Sequence, residues 1–152
     1  MATKRLFILG ILFTAISMSG GLAHLFELPN KIHLMAQDYL TVQQIYRGWA
    51  LLGIAVVGAL LSTMILCVLV RTDTQRFPQV LIAMICIALS LVIFFLVTYP
   101  VNQETENWTH LPANWRELRQ RWEYSHAVNA VLYLFAFIAL LMAALREGKP
   151  WN

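Results

Sequence analysis

The sequence predicts an all-α integral membrane protein, a four-helix bundle whose second and fourth helices protrude on the outer side. Three observations predict it. Of the 152 residues, 59% are hydrophobic and only 12% are charged, against about 25% charged in a soluble domain. The mean hydropathy of +0.64 implies more apolar surface than one core of this size can hide. The apolar residues also fall into four runs, each near the roughly 20 helical residues that cross a hydrocarbon core of about 30 Å. These figures exclude an ordinary soluble enzyme and a disordered chain. Nucleic acid is excluded as a partner too, because the net charge is only +3 and the basic residues stand at the ends of apolar runs.

The spans are expected at 6–28, 49–70, 80–99 and 127–145, within a single transmembrane domain covering 1–152. The first resembles a signal peptide, with Lys4-Arg5, an apolar stretch and small residues at Gly21-Leu22-Ala23. The apolar run continues past that point, so a retained helix is expected. Lys4, Arg5, Arg71, Arg76, Arg146 and Lys149 lie in three short stretches on one side. Lys31, Arg47, Arg116, Arg119 and Arg121 are spread over two long connections on the other. The denser basic side is expected in the cytoplasm, which places both termini there in a bacterial inner membrane. Asn114-Trp115-Arg116-Glu117 has the spacing of a capping box, and no Pro or Gly follows until Gly148. That predicts a fourth helix from Trp115 to Arg146, about 48 Å long. Asp38 is expected to cap a similar continuous helix running on through Trp49 to Val70.

Cys67 and Cys86 lie inside apolar runs without Cys-x-x-Cys or Cys/His spacing, so neither a disulfide framework nor a thiolate metal site is indicated. The inner halves of the spans are otherwise apolar. Ser17-x-x-x-Gly21 and Ala55-x-x-x-Ala59 are small-residue spacings that let helices approach closely. The outer ends are different. The first span ends in His24-Leu-Phe-Glu27 and the fourth begins with Glu123-Tyr-Ser-His126. Each pair is spaced i, i+3, on one helical face. The two helices run in opposite directions, so each Glu is expected near the water boundary with its His about one turn deeper. On the fourth helix Trp115, Arg119, Trp122, His126, Asn129 and Tyr133 fall on one stripe at 100° per residue. On the second, Tyr39, Gln43, Tyr46 and Ala50 make a comparable one. Polar stripes at membrane depth face a cavity or another helix, not acyl chains. Together they are expected to wall an outward-facing pocket roofed by Trp108 and the Asn102 segment.

Bland alternatives accompany these assignments. Trp49, Tyr99, Trp108 and Tyr124 also suit an interfacial aromatic belt. Arg116, Arg119 and Arg121 suit ion pairs with Glu117 and Glu123. The quartet itself suits a structural hydrogen-bonded network.

The chemistry open to His24, Glu27, Glu123 and His126 is of three kinds. Glu-x-x-His is the spacing of di-iron carboxylate bundles, but the second and third helices offer no further Glu at this depth. A single iron, zinc or copper ion on these four side chains remains. A haem b held between His24 and His126, with Lys31, Arg47 or Arg119 at its propionates, is the second kind. The third needs no cofactor: His126, oriented by Glu27 or Glu123, acts as general base on an acidic C–H.

Tyr99-Pro100-Val101-Asn102, then Trp115, Leu118-Arg119, Arg121-Trp122 and His126, resemble the C-terminal half of the anthrone-oxygenase-like family of small four-span membrane proteins. The resemblance covers roughly the last third of the chain. It implies oxidation of a lipophilic polyketide anthrone by dioxygen without a cofactor, with Asn102, Trp115, Trp122 and His126 as the matching positions. Members often carry Arg three residues after the His, where this chain has Asn129. The segments His24-Leu-Phe-Glu27-Leu-Pro-Asn30-Lys31 and Gln44-Ile-Tyr-Arg-Gly-Trp49 resemble a bacterial subgroup.

The expectation is therefore an oxidoreductase or oxygenase acting on a small lipophilic molecule. His126, Glu123 and Asn102 carry the chemistry. His24, Glu27, Glu123 and His126 hold a metal ion, and Arg47, Arg119, Trp122 and Lys31 contact a cofactor or an anionic group. A haem or ligand carrier, or a non-catalytic subunit of a membrane complex, is the alternative. The bilayer is one partner, and a homo-oligomer is compatible with the sequence.

Overall fold

A computed structural model describes residues 2–146 of the chain; the basic flank at Lys149 and the end of the last run at Gly148 lie outside the described residues. All regular structure among the described residues is helical. Helix α1 spans Ala2–Lys31, α2 spans Ala36–Gln43, α3 Leu52–Leu69, α4 Phe77–Ile93, α5 Tyr99–Glu104 and α6 Trp115–Leu145. Four stretches, Ala2–Lys31, Trp49–Leu69, Phe77–Glu104 and Trp115–Leu145, are long and apolar enough to cross a membrane. The chain is thus a multi-pass membrane protein. Helices α1, α3, α4 and α6 alternate in direction and form a ring in which α1 packs on α3 and α6, and α4 on α3 and α6. The two ends of the described chain lie at one end of the bundle, where Arg76 donates Nη2–H to the Arg146 carbonyl at 3.1 Å. Both long connections close the other end, the roof.

The half of the bundle away from the roof is sealed by apolar packing. Phe7, Leu66, Val80, Ile87 and Leu140 are buried there against a run of alanines on α6, Ala136, Ala139 and Ala143. Small side chains let the helices approach. The Ser17-x-x-x-Gly21 spacing does this at the α1–α6 seam, where a Cβ added to Gly21 would lie 3.0 Å from the Ala130 Cα. The outward faces are apolar, with Ile8, Leu12, Ile54, Leu61, Ile82 and Leu89 all exposed. That is the surface acyl chains cover.

Three features depart from the expected helices, each for a backbone reason. The second helix is not continuous. Gly48 sits at φ +89°, a left-handed conformation open to Gly at little cost, and short 3₁₀ turns at Gln44–Tyr46 and Trp49–Leu51 flank it. The α2 segment is therefore a separate roof element, and Asp38 lies in its first turn while Met35 is the N-cap residue. The third span does not stop before Pro100. A wide π turn over Phe94–Thr98 precedes α5, giving the Pro100 ring the room that an α turn denies it. The second helix, expected to protrude as one continuous rod, is thus broken, while the third span runs on to Glu104. The capping box at Asn114 does not form; the Asn114 amide donates to Glu104 Oε1 at 2.9 Å.

The connection after α5 makes a left-handed turn through Glu106, Asn107 and Trp108, with φ of 50°, 56° and 61°. Each such non-glycine residue costs about 1–2 kcal/mol. Bonds to Thr105 offset it: Thr109 N and His110 N both reach its carbonyl at 3.1 Å, and Trp108 N reaches its Oγ1 at 3.2 Å. The result drives Trp108 inward.

Candidate functional site

The helix α1 runs through Pro29 to Lys31. Pro29 removes one backbone bond near the helix end, where few remain to lose. Lys31 therefore completes one face with His24 and Glu27, at i, i+3 and i+7. Lys31 is 3% exposed and Glu123 1% exposed. The Lys31 Nζ lies 3.3 Å from Glu27 Oε2 and 3.3 Å from Glu123 Oε2. It donates to Tyr46 Oη at 2.6 Å and lies 3.4 Å from His24 Nδ1. The Tyr46 hydroxyl in turn donates to Glu27 Oε2. Lys31 thus joins His24, Glu27 and Glu123, its ammonium between the two carboxylates.

Glu123 is held from the other side by α2. Tyr39 Oη donates to its Oε1 at 2.9 Å, and Gln43 Nε2 reaches the same oxygen at 3.4 Å. This is the stripe read on the second helix, save that its last member, Ala50, is exposed. Glu123 is therefore covered, not at the water boundary, whereas the Glu27 side chain remains 38% exposed. Both phenols resist ionisation. Burial is the main cause for Tyr39, with the charge of Glu123 and its hydrogen bond next. Burial also comes first for Tyr46, followed by its bond to Glu27. A phenol raised in the folded state stabilises the fold below its ordinary value of about 10, and that contribution is lost as the pH climbs above it. Alkaline titration of the native protein at the tyrosinate absorbance band should thus leave these two rings un-ionised. A Tyr39→Phe/Tyr46→Phe variant that removes amplitude from the native titration below pH about 11 would contradict this.

Beneath the ion cluster lie the imidazoles. His24 and His126 stack with ring centroids 4.1 Å apart and planes 27° from parallel. Trp122 stands edge-on to both, at 4.8 Å and 4.3 Å. Its indole N–H is fixed by Asn102 Oδ1 at 2.8 Å, an acceptor placed there by the continuation of the third span into α5. Above them Tyr39, Val101, Trp108, Leu118 and Trp122 form a second buried cluster. Trp108 thus belongs to the roof and not to an aromatic belt, while Tyr99 and Tyr124 are exposed.

Two expected assignments move. Arg47 is exposed and bonds Gln44 Oε1 at 3.3 Å, because the break at Gly48 turns it away from the cluster. Arg119 is buried, but among the described residues it pairs with no carboxylate. It donates to the Leu34 carbonyl at 2.8 Å and lies over the Trp115 and Tyr39 rings at 4.8 Å and 5.3 Å. It clamps the first connection onto α6. Gln43 and Lys31 are central beyond what hydropathy indicates. Gln43 was legible through its stripe, and Lys31 as a basic flank and a contact for an anionic group, not as the partner of Glu27 and Glu123.

The donor geometry does not favour a metal centre. Among the described residues no three His, Cys, Asp or Glu side chains converge as ligands, since Lys31 stands where the carboxylates would meet an ion. A haem b fits no better, because imidazoles in face-to-face contact leave no gap for a porphyrin.

Between α1 and the start of the second span, a groove of about 330 Å³ is lined by Ser19, Gly20, Gly48, Trp49, Leu51 and Leu52. Its volume is at the small end of ligand sites. The Trp49 indole is a shared wall, 5.5 Å from the His24 ring and 4.9 Å from the Tyr46 ring. None of the family models, curated proteins or solved structures compared with the chain matches it.

Proposed function

We propose that this protein is an oxygenase-type membrane enzyme that begins its reaction by removing a proton from a small lipophilic substrate, with His126 as the general base. The observation that carries this is the state of His126. Every other titratable member of the cluster is engaged in a hydrogen bond or ion pair, whereas His126 makes none among the described residues and packs on the His24 and Trp122 rings. A base must keep a lone pair free within reach of a substrate proton. The sealed inner half of the bundle argues against a through-going path and for a site that opens toward the roof and the lipid beside Trp49. The proposed setting is a bacterial inner membrane with the termini in the cytoplasm, on the strength of the basic flanks.

Dioxygen as the oxidant follows from the resemblance to anthrone oxygenases. His126 takes one proton from an activated CH₂, and the electron pair left on carbon forms a C–O bond to dioxygen. Loss of the second C–H proton with O–O cleavage leaves a carbonyl, so CH₂ and O₂ become C=O and H₂O. Carbon gives up four electrons and dioxygen accepts them. The Lys31 ammonium offsets the negative charge that builds on the substrate.

The test is the conversion of anthrone to anthraquinone by detergent-purified protein, followed by absorbance with oxygen uptake alongside. His126→Gln is expected to lower kcat by about 10²-fold or more, the usual share of a general base. An unchanged rate in that variant would refute the assignment. Saturable anthrone binding without turnover in the parent protein would instead make the site a ligand carrier.

A further inference from the structure

We infer that Lys31 makes the two stacked imidazoles chemically unequal by fixing the tautomer of His24. A lysine ammonium has three protons to donate and no lone pair to accept. Its Nζ donates to Tyr46 Oη at 2.6 Å, lies between two carboxylates at 3.3 Å each and faces His24 Nδ1 at 3.4 Å, where a proton on that nitrogen would point at the ammonium's positive charge. The His24 Nδ1 must therefore present its lone pair, and the proton of the neutral ring resides on Nε2. That nitrogen makes no hydrogen bond among the described residues. His126, stacked on the same ring, makes no hydrogen bond to the ammonium among the described residues, so its tautomer is not fixed in this way. The pair thus offers a bound molecule one fixed N–H donor and one base, from two side chains that the sequence presents as equivalent.

Lys31 is a positioning residue in this arrangement, acting through His24. Its role rests on the proposed acid–base reading, where the His24 Nε2–H would hydrogen-bond the substrate oxygen that gains charge as His126 removes the proton. The tautomer itself is independent of that reading. The hydrogen bond a ring nitrogen makes sets the protonation of the other, so the consequence is visible without any substrate.

The experiment is ¹⁵N–¹H long-range correlation spectroscopy of the imidazoles in ¹⁵N-labelled protein in nanodiscs. Exposed His33 and His110 serve as references, and His24→Gln and His126→Gln assign the signals. The expected result is the Nε2–H tautomer at His24 in the parent protein, restored in Lys31→Arg and shifted toward a tautomer mixture in Lys31→Met. Because loss of Lys31 strands Glu123, the same comparison is made in Lys31→Met/Glu123→Leu, which removes both charges. An Nδ1–H or doubly protonated His24 in the parent would overturn the inference. So would an unchanged His24 pattern in the Lys31-deficient proteins. Loss of anthrone turnover in the parent with the Nε2–H tautomer present would fault the catalytic reading alone.

Discussion

Lys31→Met is expected to destabilise the protein by about 3–5 kcal/mol, the usual cost of removing one partner from a buried ion pair. The reason is Glu123. Its carboxylate is buried under the roof, and without the ammonium at 3.3 Å only Tyr39 and Gln43 remain to stabilise its charge. Glu27 loses the same partner, but its side chain reaches solvent and contributes little to the penalty. The measurement is thermal or denaturant unfolding in one detergent, for Lys31→Met, Glu123→Leu and the double variant. The double variant should recover most of the loss, since replacing both charges by apolar groups of similar volume is often neutral or stabilising. Strict additivity of the two single losses would show that the residues are not coupled.

The second large effect is expected at Gly21, which has no chemistry of its own. A Cβ there would lie 3.0 Å from the Ala130 Cα and 3.3 Å from its amide nitrogen. These are backbone atoms that cannot rotate aside. Gly21→Leu must therefore push α1 away from α6, at about 1–3 kcal/mol or more for overpacking. Gly21 lies one turn from His24 on α1, and Ala130 one turn from His126 on α6, so the separation falls where the imidazoles stack. Stability and anthrone turnover should drop together, whereas Gly53→Leu, at an open position with nothing within 4 Å of the added Cβ, should spare both. Retained turnover in Gly21→Leu would show that close contact of the two rings is not required.

The α1–α6 seam also shows how far local signals reach. Four spans, an apolar inner half and a polar outer level are written in hydropathy, which depends only on which residues follow one another. The stripes on the second and fourth helices are equally local, because 100° per residue places Tyr39 with Gln43 and His126 with Asn129 whatever surrounds them. Opposite helix directions then bring His24 and His126 to one height without knowledge of any contact.

What lies between those groups was decided elsewhere. Lys31 reads as a basic flank and a contact for an anionic group; its place between Glu27 and Glu123 comes only once α1 continues through Pro29, which depends on the helix being held by its neighbours as well as by its own bonds. Pro100 reads as a stop until a wider turn carries the third span past it and delivers Asn102 to Trp122. Gly48 breaks the second helix, and that single left-handed residue removes Arg47 from the cluster while folding Tyr39 and Gln43 onto Glu123. Trp108 turns inward only because Thr105 satisfies three amides around it. In each case the local backbone had two acceptable courses, and hydropathy does not say which one it takes. Periodicity fixes which face a residue occupies, but a buried charge is settled by whichever counter-charge the assembled fold brings within hydrogen-bonding distance.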